Sequence, residues 1–283
     1  MTKGTAKVAL LTIHGMGEQP RDYADDLQRA LQQHMGADYG KVDLHSVYYQ
    51  HLLKPNEQDV WRRVHERAKV RYDQLRKFIL FGFADAAGLE NRKEDDDSVY
   101  EQAQTEIARA LLAIHASHGA ATPVVLLAHS LGCQVMSSFI YDGQKRAGGG
   151  LVSAGIWKPG RLGDSLTPAQ RTFLQCGSVR AFVTTGCNIP VFVAAHQRMH
   201  VKPITKPNPG FSWLNLYDPD DALGWPLQPL DGGYETLVED RAINAGQSLL
   251  DFMTKSWNPL SHTAYWTDDD VIHPLAEKIR GQV

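Results

Sequence analysis

Cysteine is scarce in this sequence: only Cys133, Cys176 and Cys187 occur in 283 residues. An odd count without metal-like spacing argues against a disulfide framework and points to a reducing compartment. Long apolar runs are missing as well. Val8-Ala9-Leu10-Leu11-Thr12-Ile13, near the start, falls far short of the ~20 residues of a spanning helix, and no signal-peptide cleavage pattern accompanies it. A cytoplasmic protein is expected. Charge of one sign is not in excess either: the formal net charge is −3 at pH 7. That balance gives no reason to expect a nucleic-acid partner. His, Cys and Glu nowhere fall at metal-ligand spacing, and no phosphate-cradling glycine pattern opens a helix. Neither a metal nor a nucleotide cofactor is expected. With no internal repeat, low-complexity tract or clear linker, residues 1–283 read as a single domain.

What is present is an ordinary globular composition, 43% apolar and 22% charged, in a chain long enough to bury a substantial core. Val8 to Ile13 reads as a buried strand that ends in the loop His14-Gly15-Met16-Gly17-Glu18-Gln19-Pro20. Asp22 is placed as the cap of a helix through about Met35, with Leu27, Ala30, Leu31 and His34 at helical spacing. Val42 to Tyr49 alternates as a strand does. Strand, helix, strand implies a βαβ unit and a parallel sheet. From Asp59 to about Leu80 the spacing predicts one helix, with Trp61, Val64, Ala68, Tyr72, Leu75 and Ile79 on one face. Arg62, Arg63, Arg67, Lys69, Arg76 and Lys77 occupy the other. A solvated helix packed on the body is the first reading of that face, and peripheral membrane contact the second. Phe78 to Phe83 is apolar all round and calls for cover.

Glu94 to Asp97 reads as a solvated acidic loop, and Ser98 with Glu101 as a capping box for a helix to about Ser117. Pro123 introduces a central strand. Beyond the helix that follows it, residues from Gly148 to Gly177 look irregular, apart from a short helix announced by Thr167-Pro168-Ala169-Gln170. Insertions are therefore placed at about 52–97 and 147–177, the second as a lid or rim of the site. Val179 to Thr185 and Ser212 to Tyr217 are further strands. Glu235 to Ile243 is a weaker one, and Asp270 to Arg280 a closing helix interrupted by Pro274.

The chemistry gathers at Val124-Val125-Leu126-Leu127-Ala128-His129-Ser130-Leu131-Gly132-Cys133. An apolar strand, a small-x-Ser-x-Gly turn and an apolar-periodic helix form a nucleophile elbow, whose serine hydroxyl stands clear of the sheet. Ala128 and Gly132 are small because strand and helix nearly touch there. A serine needs a base to take its proton, and an acyl transfer needs donors for the developing oxyanion. The N–H of Leu131 is one such donor. Met16 N–H, in the His14-Gly15-Met16-Gly17 loop, is the other.

These segments resemble the α/β-hydrolase superfamily of serine esterases and lipases. Two later stretches, Thr185 to Phe192 and Asp221 to Leu230, are similar to segments of the intracellular DDHD-type phospholipases, although Ala128 stands where their elbow has its first glycine. The resemblance implies an α/β fold with a mostly parallel central sheet flanked by helices and carrying helical cap or lid insertions. It also implies the order nucleophile, acid, histidine. His262, in Ser261-His262-Thr263-Ala264-Tyr265-Trp266, fits that order best, with His273 as competitor. Asp221 is the favoured acid, Asp218 the runner-up, and Asp220 a turn cap; Asp240 is an outside candidate better read as paired with an arginine. His14, Gly15 and His129 are expected to line the site, His34, His65 and His115 to sit on helix faces, and His196 and His200 at the surface. Cys133 and Cys187 read as packing thiols. The expected function is cleavage of small-molecule or lipid carboxylic esters through Ser130, His262 and Asp221. A non-catalytic binding or scaffolding protein of the same fold is the alternative. The oligomeric state is not legible.

Overall fold

The strand Val8–Ile13 (β1) is apolar at every position but Thr12 and buried throughout. A strand that is apolar on both faces needs cover on both, and the fold supplies it. In a computed structural model, residues 8–17, 19–52, 54–68, 71–195, 201–245 and 265–283 are described. After β1 come helix α1 (Asp25–Met35), β2 (Val42–Val47), α2 (Lys54–Arg67), α3 (Asp73–Glu90) and α4 (Val99–His118). The central β3 (Val124–His129) leads into α5 (Leu131–Ala147), and the short helices α6 (Leu162–Ser165) and α7 (Pro168–Leu174) follow. The chain continues through β4 (Val179–Thr185), α8 (Ile189–Ala194), β5 (Ser212–Tyr217), α9 (Tyr234–Leu237), β6 (Val238–Ala242) and α10 (Asp269–Arg280).

The six strands are ordered β2-β1-β3-β4-β5-β6, and each described pairing is parallel. This is the helix-flanked parallel sheet that the sequence led us to expect. Alternate residues divide between two cores. Ala9, Leu11, Ile13, Leu126 and Ala128 face the side covered by α4 and α5. Val8, Leu10, Val125 and Leu127 face α1 and α10 through Leu27, Leu31, Leu275 and Ile279. Because all strands run the same way, the ends of β1, β3, β4 and β5 share one edge, with Ile13 beside Ala128 and His129 beside Thr185. Ligands bind at that carboxyl edge in open parallel sheets.

Several local expectations need correction. Asp22 does not cap α1; its carbonyl accepts from Asp25 N–H at 2.9 Å in a preceding turn, and the N-cap position is Ala24. The run from Asp59 to Leu80 is two helices, α2 ending at Arg67 and α3 starting at Asp73 just after Tyr72, whose φ is 63°. Its apolar residues are not uniformly covered: Phe81 is buried, whereas Val64, Tyr72, Ile79 and Phe83 are exposed. Ser98 accepts from Glu101 N–H at 3.3 Å, but the Glu101 carboxylate turns to Asp97 N–H at 3.1 Å and to Arg161 rather than back to Ser98. The acidic loop is exposed as expected, and two of its carboxylates are paired there, Asp96 with Lys158 and Asp97 with Arg161, each at 2.7 Å. Residues 147–177 pack along α4 and α5, where Phe173 meets His115 and Trp157 meets Phe139. The Thr167 capping box is formed as expected. β6 starts only at Val238, after α9, and α10 runs through Pro274 without a break.

Candidate active site

Ser130 is the single residue between β3 and α5, and it turns the chain at φ 52° and ψ −123°. A left-handed conformation costs a non-glycine residue on the order of 1–3 kcal/mol, so the surroundings must enforce it. They do so through Ser130 N–H, which donates to Thr185 O at 2.9 Å, and through close packing of two loops. A Cβ on Gly132 would run into the carbonyl oxygen of His14, and one on Gly15 would stand 2.5 Å from the Ser130 Cβ. Glycine at both positions therefore lets the loop after β1 lie directly on the elbow. Leu131 opens α5, and N–H groups in a first helical turn have no intrahelical acceptor. Met16 is half-buried in the facing loop.

The two histidines expected to line the site, His14 and His129, have structural work. Tyr49 N–H donates to His14 Nε2 at 3.2 Å, so Nδ1 carries the proton and donates to Gly15 O at 2.8 Å. The ring is stacked on Tyr49, with centroids 4.3 Å apart, and Tyr49 Oη donates to His14 O at 3.1 Å. Burial lowers the His14 pKa to about 4; the bond to Gly15 opposes the shift and His51 adds to it. His14 is thus a neutral strut that shapes its loop. His129, also buried, bonds through Nδ1 to Thr185 Oγ1 at 3.1 Å, and its ring meets Tyr265 and Trp266 at 5.4 and 5.8 Å.

Beyond β5, Asp218 and Asp221 are both buried. The oxygens of Asp218 accept from Asp220 N–H at 2.8 Å and Ala245 N–H at 2.9 Å. Burial raises its pKa against the pull of those two bonds, and the neighbouring Asp220 and Asp221 raise it further. Asp221 accepts from Leu223 N–H at 2.9 Å and from Tyr265 Oη at 2.9 Å. The same Tyr265 oxygen accepts from Asp218 N–H at 3.1 Å. The chain three residues past His262 is therefore tied to the acid loop and lies against His129. His262 itself, like His196 and His200, lies outside the described residues. His273 sits on α10 beside Asp269, with its ring 4.4 Å from that of His34.

Asp240 pairs with no arginine among the described residues. It accepts from Asn215 Nδ2 at 2.8 Å, from Gln228 N–H at 2.7 Å and from Leu227 N–H. Asn215 in turn accepts from Thr184 Oγ1 at 2.8 Å, which makes a polar row across β4, β5 and β6 that is buried at Thr184 and Asn215 and half-buried at Asp240. That row holds the segment after the acid loop in place. Cys133 and Cys187 are buried, and burial above all, with Cys187 as its neighbour, raises the Cys133 thiol well above its usual pKa. Both behave as packing residues.

Two site features escaped the sequence reading. Tyr265 was visible only as part of a histidine loop, and nothing local marks it as a bridge between two aspartates. Asp85 is fully buried on α3 and accepts from Gly17 N–H at 2.7 Å. A carboxylate between the buried Phe81 and Leu89 was the available signal. A cleft of about 450 Å³ also runs along α5 from Gln134, one turn past Ser130, between Ser138, Tyr141, Phe192, Val193 and Tyr234. Ser130 is not among its lining residues.

No family model matches the chain, and no curated protein matches it. Among solved structures it is similar to an acetylxylan esterase at 10% identity, with a TM-score of 0.44 and 99% of both chains covered. A second is the catalytic core domain of an acetyl xylan esterase from Trichoderma reesei, at 12% identity and a TM-score of 0.43, covering 99% of this chain and 100% of that one. These are likenesses of fold at low similarity. The segments read as similar to DDHD-type phospholipases gain no support from them.

Proposed function

We propose that the protein is a serine hydrolase acting on carboxylic esters. The observation that carries this reading is the contact between the strained Ser130 and the His14-Gly15 loop, since it brings a nucleophile and candidate oxyanion donors to one point. Ser130 Oγ attacks the acyl carbon while its proton passes to His262. The carbonyl π pair moves onto oxygen, and the N–H groups of Leu131 and Met16 hold the oxyanion. Collapse expels the alkoxide, which takes the proton from His262 and leaves an acyl-enzyme. Water, deprotonated by His262, then attacks the acyl carbon. The second collapse returns the proton to Ser130 and frees the carboxylic acid. Asp221 orients His262, supported by the bond from Tyr265 to Asp221 three residues beyond the histidine. The cleft along α5, lined by apolar and hydroxyl side chains and by the charged Glu90, Lys93, Asp142 and Lys202, is proposed to receive part of the ester substrate.

A fluorophosphonate probe is expected to label the wild type at Ser130 and to leave Ser130→Ala unlabelled. On an ester panel running from short to long acyl chains, Ser130→Ala is expected to lose ~10⁴-fold or more in kcat. A folded wild type that neither labels nor turns over any ester would overturn the proposal and favour a non-catalytic binding protein.

A further inference from the structure

Three buried polar side chains from three segments converge behind the loop that carries Met16. Asp85, on α3, accepts from Gly17 N–H through Oδ2 at 2.7 Å. Its Oδ1 accepts from Gln50 Nε2, in the turn after β2, at 3.3 Å. The Glu57 carboxyl, on α2, neighbours Asp85 as well. Asp85 and Gln50 are wholly buried and Glu57 nearly so. Burial raises the Asp85 pKa, against the pull of Glu57, the Gly17 N–H and Gln50.

Such a group is costly to bury, and nothing in the apolar packing of α3 requires it, since Phe81 and Leu89 already fill that face. What it does locally is hold one amide. Three residues before Asp85, Gly82 lies directly against the Met16 side chain near Sδ. Helix α3 thus grips two consecutive loop residues, Met16 by its side chain and Gly17 by its N–H. With the Gly17 N–H aimed at Asp85, the Met16–Gly17 peptide plane is set, and with it the backbone on the C-terminal side of the Met16 N–H.

We propose that Asp85, seated by Glu57 and Gln50, is a positioning residue that holds the oxyanion loop with Met16 N–H facing the substrate oxygen at Ser130. This rests on the ester-hydrolase reading. It adds a role for the helical insertion that the residues at the elbow do not reveal.

The test compares wild type, Asp85→Leu and Asp85→Asn, with kcat expressed per site titrated by the fluorophosphonate probe, so that misfolded protein is not counted. Removing an oxyanion donor outright costs ~10²–10³-fold, and a loosened donor should cost less. Asp85→Leu is expected to lose about 10–100-fold in kcat with KM little changed. Asp85→Asn keeps an acceptor oxygen for Gly17 and should recover most of that loss. A merely structural role would lower the melting temperature or the number of titrated sites and leave kcat per site alone. The amide proton of Gly17 supplies a readout independent of turnover and of whether Asp85→Leu folds. It should be shifted downfield and protected from exchange in the wild type and in Asp85→Asn. Equal kcat per titrated site in all three proteins, or a Gly17 amide that exchanges as freely as a solvent-exposed one, would overturn the proposal. A wild type that neither labels nor hydrolyses esters would strike the hydrolase reading instead, while the Gly17 amide would still report whether the seat exists.

Discussion

Asp218 and Asp221 stand one helical turn's worth of sequence apart, yet their carboxylates are engaged differently. Asp218 spends both oxygens on backbone N–H groups, one in its own loop and one at Ala245 beyond β6. That is the pattern of a group that ties segments together. Asp221 is bonded to Leu223 N–H and to the hydroxyl of Tyr265, which leads back toward His262. Asp221→Asn is therefore expected to lower kcat on the order of 10²–10⁴-fold with little change in stability. Asp218→Asn keeps one acceptor oxygen and loses the other, and is expected to cost about 1–2 kcal/mol in urea unfolding with kcat nearly unchanged. The reverse pattern in paired kinetics and unfolding curves would exchange their roles. Residue chemistry of this kind was legible where it is local. Small-x-Ser-x-Gly announces its turn within five residues, whereas Asp85 meets Gly17 across 68 positions of sequence.

Among the elements, the α2–α3 pair diverges most from its sequence pattern. Helical periodicity was correct, but the break at Tyr72 changes which apolar residues face inward. Phe81, Asp85 and Leu89 are buried on α3, while Tyr72 and Phe83 are each 74% exposed. Replacing both exposed aromatics by serine should shift unfolding by no more than ~0.5 kcal/mol, whereas Phe81→Ala should cost about 3–5 kcal/mol. Comparable losses in both would contradict the inward face assigned here. The same double variant separates the two readings of the outer face, where Arg76 and Lys77 lie near the aromatics in sequence. A solvated face predicts that neither protein floats with anionic vesicles; a membrane face predicts flotation of the wild type alone. Capping shows the limit of local patterns. Thr167 and Gln170 close their box, while Arg161 draws the Glu101 carboxylate away from the one beginning at Ser98.

At the scale of the whole molecule, the buried His14 links stability to pH. Its pKa falls from an ordinary 6.5 to about 4 because burial disfavours the charged ring. Below 6.5 the unfolded chain binds a proton there that the folded chain refuses, so stability present above pH 6.5 drains away as pH falls and levels off below about 4. The shift corresponds to a loss on the order of 3 kcal/mol. Urea unfolding over that range should therefore fall more steeply for the wild type than for His14→Gln. Parallel curves would show that His14 does not couple folding to pH.

The sequence by itself determined the parallel sheet, because uninterrupted apolar strands such as Val8–Ile13 and Val124–His129 require cover on both faces. The turn at Ser130 was legible too, although Gly132 is small for a reason the local pattern did not show: its Cα lies against the backbone of Ile13 and His14. How Asp218 and Asp221 are bonded, what the loop after β1 rests on and which side of α3 faces the core emerged from the folded arrangement alone. Those depend on contacts between residues far apart in the chain, and no local spacing or propensity encodes such contacts.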